Sequence, residues 1–241
     1  MTGPRIIHHV GVVIPARDEE DRVIRTLASV DLARAALPSY VTTTCVVVVD
    51  GCSDRTASRS RGWTGGTGPP VVIEITDRCV GVARATGTEW LLANTPHAPD
   101  AVWIANTDAD SIVPPDWLVK QLALADQGVA AVAGIVRLAD TTNQGLLDRF
   151  TASYRLGPDG THEHVHGANL GIRGDAYIAV GGWGDQTTAE DHDLWVRLGR
   201  RHKRISATSV VVTTSARLTG RAPSGFAGEL GKHAAADRIV A

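Results

Sequence analysis

The feature that most constrains this chain is the alternation of short β-branched apolar runs with segments of helical periodicity. Strand-like runs lie at residues 10–15, 40–50, 71–75 and 101–106. Helix-like segments follow them at residues 19–37, 53–63, 80–94 and 115–128. Such β-α-β-α alternation predicts an α/β protein with a Rossmann-like, mostly parallel sheet flanked by helices.

Composition favours one globular domain over residues 1–241 and argues against several other classes of protein. With 241 residues and 43% hydrophobic content, the chain can bury a core without disulfides or a structural metal. Its three cysteines show no CxxC spacing, its net charge is −2, and no apolar run reaches the length of a membrane span. Residues 1–9 lack the apolar stretch of a signal peptide. We therefore expect a cytoplasmic protein without a nucleic-acid partner or a transmembrane segment, with a homodimer as one option for its oligomeric state.

Candidate ligand-binding residues lie at the carboxyl ends of three of the predicted strands. They are Pro15, Ala16 and Arg17 after the first strand, Asp50 at the end of the second, and Asp108 and Asp110 after the fourth. Ligands of open α/β sheets bind outside the carboxyl ends of the strands. The sequence therefore predicts a binding site at this edge of the sheet.

Asp108 and Asp110 form a DxD pattern directly after an apolar run. Two carboxylates one residue apart can share a hard divalent cation such as Mg²⁺ or Mn²⁺, which takes oxygen ligands and often adds substrate phosphates. Such a cation would also make a diphosphate a better leaving group. The alternative is that Asp110 or Ser111 caps a helix that begins near Pro114, with Asp108 only solvated.

Six segments, in order and in spacing, resemble family 2 glycosyltransferases with the GT-A fold. They are VVIPARDEE (12–20), VVVVDGCSDRT (46–56), GVARATG (81–87), TDADS (107–111), HGANLGIRGDAYIAVGGW (166–183) and EDHDLWVRL (190–198). The resemblance covers about residues 10–215. It implies a nucleotide-sugar-binding half at about 10–111 and an acceptor-binding half of mixed strands at about 112–215.

The resemblance also implies roles for individual residues on the donor side. The first motif (Pro15, Ala16 and Arg17) and Asp50 would hold the base and ribose of a nucleotide-diphosphate sugar, with Arg84 near the base or the phosphates. Asp110 would be the ligand of Mn²⁺ or Mg²⁺, and Asp108 would contact the ribose or the metal. Asp50 suits a uracil-type base, which favours a UDP-sugar, although other nucleotides stay open.

On the acceptor side, the resemblance implies that Asp191, beside Glu190, is the base of an inverting transfer, with a retaining reaction left open. Three further residues could contact the acceptor, or could be ordinary packing and turn residues: His166, Asn169 and Trp183. His166 ends the segment HEHVH (162–166), whose alternating histidines could bind a metal but are more simply explained as ordinary loop or strand residues. Residues 213–226 match nothing general in the family and are expected to form a flap, with Arg217 and Arg221 reaching the phosphates and 216–241 a flexible tail.

Departures from the family pattern limit the kinds of reaction that we expect. Val49 stands where the family often has the first of two aspartates, so only Asp50 is available at that strand end. The Q-x-x-R-W motif of processive synthases is missing from the sequence, which favours transfer of one sugar to a soluble or small acceptor. A nucleotidylyltransferase is an alternative, but it predicts a glycine-rich loop where this chain has PARDEE. A non-catalytic nucleotide-sugar binding protein is a third hypothesis, and it would not need Glu190 and Asp191.

Overall fold

A computed structural model describes residues 6–139, 143–154, 156–157, 161–217 and 230. Its strands are β1 (His9–Ala16), β2 (Thr42–Asp50), β3 (Val71–Ile75), β4 (Val102–Asn106), β5 (Ser111–Ile112), β6 (Ala131–Ala139), β7 (Leu170–Arg173) and β8 (Arg204–Ser215). Its helices are α1 (Val23–Ala35), α2 (Thr56–Arg61), α3 (Val80–Asn94), α4 (Trp117–Ala125), α5 (Gln144–Ser153), α6 (Gly174–Ala179) and α7 (Glu190–Gly199). None of the helices within these residues is long and apolar enough to cross a membrane. The proposed tail, apart from Ala216, Arg217 and Leu230, lies outside the described residues, and so does Arg221.

All eight strands form one mixed sheet in the order β3-β2-β1-β4-β7-β6-β8-β5. Strands β1 to β4 pair in parallel. Strand β7 then runs antiparallel to both of its neighbours, β6 pairs in parallel with β8, and β5 closes the sheet antiparallel to β8. The α/β fold predicted from the alternation, parallel in its first half and mixed towards its carboxyl-terminal part, is therefore confirmed.

Helices cover both faces of the sheet, which explains the four-valine run of β2. Val47 and Val49 pack into the core layer that contains Val23 and Leu27 of α1. Val46 and Val48 pack into the opposite layer, with Ala83 and Leu91 of α3. Because successive side chains of a strand point to opposite faces, a strand buried on both faces reads as a continuous apolar run.

Close packing of α3 on the sheet depends on a glycine. A Cβ at Gly87 would lie 2.7 Å from Val13 Cγ1 and 2.9 Å from Val48 Cγ2, which is closer than side chains can approach without a shift. Helix α3 therefore lies flat against β1 and β2. This position brings the first turn of α3, with Arg84, to the carboxyl ends of the strands.

The strand register places the predicted residues at one edge of the sheet. Ala16 of β1 lies beside Val49, next to Asp50, and Val13 lies beside Asn106 at the end of β4. The alternative in which Asp110 or Ser111 caps a helix is wrong. Ser111 begins β5, where it pairs with Thr214, and α4 begins only at Trp117 with Asp116 at its N-cap position.

Candidate active site

The acidic turn (Asp108–Asp110) leaves the buried strand β4 and presents two carboxylates of different exposure. Ala109 between them is buried, and its carbonyl accepts a hydrogen bond of 2.9 Å from the hydroxyl of Thr26 in α1. The side chain of Asp108 is 36% exposed, whereas that of Asp110 is only 10% exposed. Burial and the charge of Asp108 raise the pKa of Asp110, an effect that the cationic Arg217 opposes. The turn is therefore a site of concentrated negative charge.

Arg84 joins the acidic turn to the late acidic pair (Glu190 and Asp191). Its side chain is 2% exposed, and Nη2 donates to Asp108 Oδ1 at 2.6 Å. Its Nε lies 3.5 Å from Glu190 Oε1, and its guanidinium carbon lies 5.4 Å from the centre of the Trp183 ring. One buried cation therefore holds both acidic motifs, which are distant in sequence, in a single site.

Gly167 allows Arg84 to reach this position. A Cβ at Gly167 would lie 2.5 Å from Arg84 Nη2 and 2.8 Å from its Cζ, so any larger residue would push the guanidinium away. The backbone N–H of Gly167 donates to Asp191 Oδ2 at 2.8 Å. The glycine thus connects Arg84 with the second member of the late acidic pair.

The two members of the late acidic pair have different surroundings. Glu190 is buried, and burial raises the pKa of its carboxyl group while Arg84 lowers it and Asp191 raises it further. Asp191 is half-buried, and its two oxygens accept 2.8 Å hydrogen bonds from the backbone N–H groups of Gly167 and His192. Asp193 points elsewhere and pairs with Arg197. Of the pair, Asp191 is the carboxylate that a ligand can approach more easily.

Arg217, at the end of β8, neutralises the other side of the acidic turn. Its Nη2 lies 3.2 Å from Asp110 Oδ2, and its Nη1 forms an ion pair with Oε1 of the buried Glu19. The hydroxyl of Thr214 also contacts Asp110 Oδ1, at 3.2 Å. Sequence reasoning missed Glu19 and Thr214, although the position of Glu19 in the PARDEE segment was a signal for the first of them.

The acidic turn has the donor chemistry for a divalent cation. Asp108 and Asp110 supply hard carboxylate oxygens of the kind that Mg²⁺ and Mn²⁺ prefer, and Mg²⁺ sites commonly use one or two carboxylates completed by substrate phosphates. Within the described residues, only Asp18, Cys52 and Asp54 bring three candidate ligand atoms together. Asp54, however, already accepts from the N–H groups of Glu20 and Thr56. We therefore regard that trio as a loop clamp, and the acidic turn as the residues that would hold a metal.

Asp50 is engaged by the backbone that leads into α3. Its Oδ1 accepts from the N–H of Arg78 at 2.6 Å and its Oδ2 from the N–H of Cys79 at 2.7 Å. The carboxylate is almost completely buried. These contacts fix the loop between β3 and α3, a role that sequence reasoning did not find. The contact between Asp50 and a nucleotide base stays a prediction. A base N–H would be a third donor to this carboxylate.

The first motif is held in place by contacts between the loops after β1 and β2. Pro15 and Ala16 end β1, and the carbonyl of Ala16 lies 3.6 Å from the sulfur of Cys52. Asp18 Oδ1 accepts from the N–H of Ser53 at 2.8 Å. Arg17 lies between Ala16 and Asp18 in the chain, is half-buried, and is at the same sheet edge as Asp50. The structure thus brings Pro15, Ala16, Arg17 and Asp50 together.

Backbone strain is concentrated in the loops around this edge. In the part of the chain that the structure describes, three residues other than glycine have a positive φ: Asp18 (51°), Arg78 (54°) and Ala189 (61°). They lie in the loop after β1, in the loop before α3 and directly before the late acidic pair. Residues with a Cβ adopt this conformation at an energetic cost, and such residues cluster at functional sites. The strain is independent support for a site here.

The structure gives the three predicted acceptor residues different environments. Asn169 is 1% exposed; its Oδ1 accepts from Trp117 Nε1 at 2.9 Å, and its Nδ2 donates to the carbonyls of Ile135 and Val210. An acceptor hydroxyl would have to replace one of these internal bonds. Trp183 is buried against Arg84. His166 precedes Gly167, and burial, together with the nearby His164, His162 and His192, lowers its pKa to about 3, so that it is neutral.

The alternating histidines of HEHVH surround one tyrosine. The ring centre of Tyr154 lies 4.3 Å from that of His164 and 5.9 Å from those of His162 and His166. The hydroxyl of Tyr154 accepts a 2.9 Å hydrogen bond from the N–H of Val136 in β6. Within the described residues, the nitrogen atoms of the three imidazoles do not converge as the ligands of a metal ion would. They form a packed aromatic cluster, whose central tyrosine sequence reasoning missed.

Comparison with known proteins places this geometry in a family context. A family model described as Glycosyl transferase family 2 matches residues 11–176, more than half of the 241-residue chain. The matched segment contains the first motif, Asp50, Arg84 and the acidic turn, but ends before the late acidic pair and Arg217. No protein with a curated functional description matches the chain by sequence.

Solved structures with the GT-A fold resemble this chain over most of its length. The mannosyltransferase PcManGT from Pyrobaculum calidifontis, in complex with GDP-Man and Mn²⁺, superposes with a TM-score of 0.67 at 20% identity, covering 91% of this chain and 60% of its own. TarS from S. aureus, in complex with UDP-GlcNAc, gives a TM-score of 0.65 at 14% identity, with 90% and 61% coverage. At these identities the likeness shows the fold. The chain spans about 60% of the length of these two relatives.

Proposed function

Because the chain belongs to glycosyl transferase family 2, we propose that it moves one sugar from a nucleotide-diphosphate sugar to a soluble or small acceptor, with inversion and with Mn²⁺ or Mg²⁺. The observation that carries this proposal is the buried Arg84, which contacts Asp108 of the acidic turn and Glu190 of the late acidic pair. A transferase needs its donor site and its acid–base group side by side. The contacts of Arg84 support that arrangement.

On the donor side, Pro15, Ala16, Arg17 and Asp50 line the sheet edge where we propose that the nucleoside binds. Asp108 and Asp110 are the proposed metal ligands. A bound divalent cation would neutralise the diphosphate as it leaves. The donor class is supported by the nucleotide sugars and Mn²⁺ in the structural relatives, GDP-Man in one and UDP-GlcNAc in the other. Within that class we favour UDP, on the basis of Asp50.

On the acceptor side, Asp191 is the proposed base. An acceptor hydroxyl is a weak nucleophile at neutral pH, and a carboxylate that accepts its proton makes the attack on the anomeric carbon easier. Asp191 is more open than Glu190 and lies in the first turn of α7. Glu190, paired with Arg84, is proposed to position that cation. His166, Asn169 and Trp183 are the proposed acceptor contacts.

A nucleotide screen followed by a product assay tests the proposal. We expect UDP or another nucleoside diphosphate to raise the melting temperature of the chain more with Mn²⁺ than without it, since binding to the folded state stabilises it by mass action. The matching nucleotide sugar should then be consumed with acceptor or, slowly, with water, and NMR should show a product of inverted anomeric configuration. Binding without any turnover would favour the non-catalytic binding protein. Release of pyrophosphate when a nucleoside triphosphate and a sugar 1-phosphate are supplied instead would favour the nucleotidylyltransferase.

The cytoplasmic location and the homodimer considered from the sequence stay predictions. Size-exclusion chromatography with light scattering would give the oligomeric state directly. The functional proposal does not depend on either of them, because all the residues assigned above belong to one chain.

A further inference from the structure

The two carboxylates of the acidic turn are each paired with an arginine, but the two arginines have different surroundings. Arg84 is 2% exposed, and its guanidinium lies against Asp108 and the ring of Trp183. Arg217 is 23% exposed and lies two residues after the end of β8. Arg84 is therefore a fixed part of the core, whereas Arg217 is a surface-accessible side chain that reaches inward.

Arg217 contacts the carboxylate of Asp110, which we propose as a metal ligand. Its Nη2 is 3.2 Å from Asp110 Oδ2, and the other oxygen, Oδ1, is occupied by the hydroxyl of Thr214 at 3.2 Å. A divalent cation on Asp110 would bring two like charges within a few ångströms of each other. At that separation their repulsion in a partly buried site is large. Arg217 and a metal ion therefore compete for Asp110.

The second partner of Arg217 determines where the guanidinium would go. Its Nη1 is paired with Glu19, a buried residue in the loop after β1, on the donor side of the sheet edge. If Arg217 releases Asp110, this ion pair keeps its guanidinium beside the first motif. The planar guanidinium binds phosphate oxygens through two parallel hydrogen bonds. A diphosphate that arrives with the metal would supply those oxygens.

We propose that Arg217 is an internal counter-cation of Asp110, which gives up this carboxylate to the metal and binds the donor diphosphate instead. The inference rests on the proposed function and adds to it a defined order of contacts around Asp110. Without ligand, Arg217 neutralises Asp110 and lowers the affinity of the acidic turn for cations. With metal and nucleotide together, the same side chain contributes to binding.

The proposal predicts effects of opposite sign from one substitution. In Arg217→Gln, Mn²⁺ alone should bind about threefold or more tightly, because a competing cation has been removed. UDP or GDP in the presence of saturating Mn²⁺ should bind roughly tenfold more weakly, because a charge-assisted bond to phosphate has been lost. A purely structural ion pair would not produce the second effect.

The test uses the full chain and a matched control. Arg61→Gln removes the same charge from an exposed ion pair with Glu74. This pair joins α2 to β3 and lies away from the acidic turn. Free Mn²⁺ is measured by electron paramagnetic resonance during titration, first without nucleotide and then with UDP or GDP. Arg217→Lys keeps the charge without the planar fork, so it should leave Mn²⁺ binding near that of the wild type and still weaken the nucleotide.

The variants are expected to fold, because Arg22 Nη1 lies 3.8 Å from the other oxygen of Glu19 and still balances its charge in Arg217→Gln. Melting curves for each variant check this directly. If a variant melts early, guanidinium ¹⁵N signals of wild-type Arg217 with and without Mg²⁺ and UDP give the same answer. Those signals should shift when both ligands are present.

The outcomes separate this inference from the proposed function. Opposite shifts in Arg217→Gln, with Arg61→Gln unchanged, support the exchange. Unchanged Mn²⁺ affinity without nucleotide, or unchanged nucleotide affinity with Mn²⁺, overturns it while leaving a metal-dependent transferase intact. Wild-type protein that binds no Mn²⁺, alone or with UDP or GDP, overturns the metal-dependent function itself.

Discussion

The donor and acceptor sides of the site are built from different kinds of contacts. On the donor side, carboxylates bind backbone N–H groups of neighbouring loops, as Asp50 does with Arg78 and Cys79. On the acceptor side, side-chain packing dominates, as in the imidazoles around Tyr154. The donor side is therefore preorganised by hydrogen bonds to the backbone of its loops, whereas the acceptor side depends on the packing of side chains.

The two kinds of contact should tolerate substitutions differently. A loop fixed by backbone hydrogen bonds tolerates few changes, because each lost partner leaves a buried donor unsatisfied. A packed cluster of side chains can be rebuilt by substitutions of similar volume. Substitutions on one side of the site at a time test this difference.

The largest effect is expected where the two sides meet. Asp191→Asn keeps the size of the side chain but removes its basicity, so turnover should fall by roughly 10²–10⁴-fold while donor affinity changes little. Asp193→Asn makes the same chemical change on the same helix at a residue that pairs with Arg197. Steady-state kinetics should show a near-normal rate for that control. Near-normal turnover in Asp191→Asn would remove the residue from the mechanism.

A change at Asn169 tests whether its predicted acceptor role or its packing role dominates. Asn169→Ala would remove the hydrogen bonds of Asn169 with Trp117 Nε1 and with the carbonyls of Ile135 and Val210. We expect the free energy of unfolding to fall by about 3 kcal/mol, because each buried unsatisfied group costs about 1–3 kcal/mol. Urea denaturation measures this loss. A stable variant with a raised KM for the acceptor would instead show that Asn169 serves the ligand.

On the donor side, Asp50→Asn replaces one accepting oxygen with an amide that cannot accept the N–H of Arg78 or Cys79. Loss of that charge-assisted bond should lower the free energy of unfolding by about 2 kcal/mol. UDP affinity should fall as well, by roughly tenfold if the carboxylate also accepts from the base. Calorimetry with UDP separates the two roles. Unchanged UDP affinity in a destabilised variant would restrict Asp50 to holding the loop.

The pH dependence of the free energy of unfolding should change when His166, on the acceptor side, is substituted. Burial lowers the pKa of His166 to about 3, below the ordinary value of 6.5. The unfolded chain therefore binds the proton first, and the stability contributed by the neutral imidazole is complete above pH 6.5 and is lost as the pH falls towards 3.

His166→Gln should accordingly flatten the fall in stability between pH 7.5 and about 5, by a smaller amount than the changes above. His9 is a control, since burial lowers its pKa to about 4 at the opposite end of β1. In His166→Gln the contribution of His9 should persist. Denaturation midpoints measured at half-unit pH steps test this, and an identical pH slope in wild type and variant would contradict it.

Much of the donor side could be predicted from the sequence because its signals are local. The valine run of β2 ends at Asp50, and the helix expected at residues 80–94 matches α3. Strand ends follow from apolar runs, and parallel neighbours place those ends at one edge. The same reasoning predicts that Asp50, Arg17 and the acidic turn lie at one edge of the sheet.

Long-range pairings could not be predicted in this way. Strand β8 pairs with β6 across a register shift at Gly134 and Ile135 and also pairs with β5, next to the acidic turn. The pairing with β5 brings Thr214 and Arg217 to Asp110. The burial of Tyr154 among three histidines likewise depends on α5 packing beside a segment without regular structure. No spacing in the sequence indicates such contacts, because they follow from the tertiary fold.

The central claim is that the acidic turn binds a nucleoside diphosphate through a divalent cation. It is tested most directly by calorimetric titration of UDP and GDP into wild-type protein and Asp110→Ala, each with and without Mn²⁺. We expect Mn²⁺-dependent binding of one nucleotide in the wild type and its loss in the variant, with both proteins folded. Equal Mn²⁺-dependent affinity in the two proteins would contradict the claim.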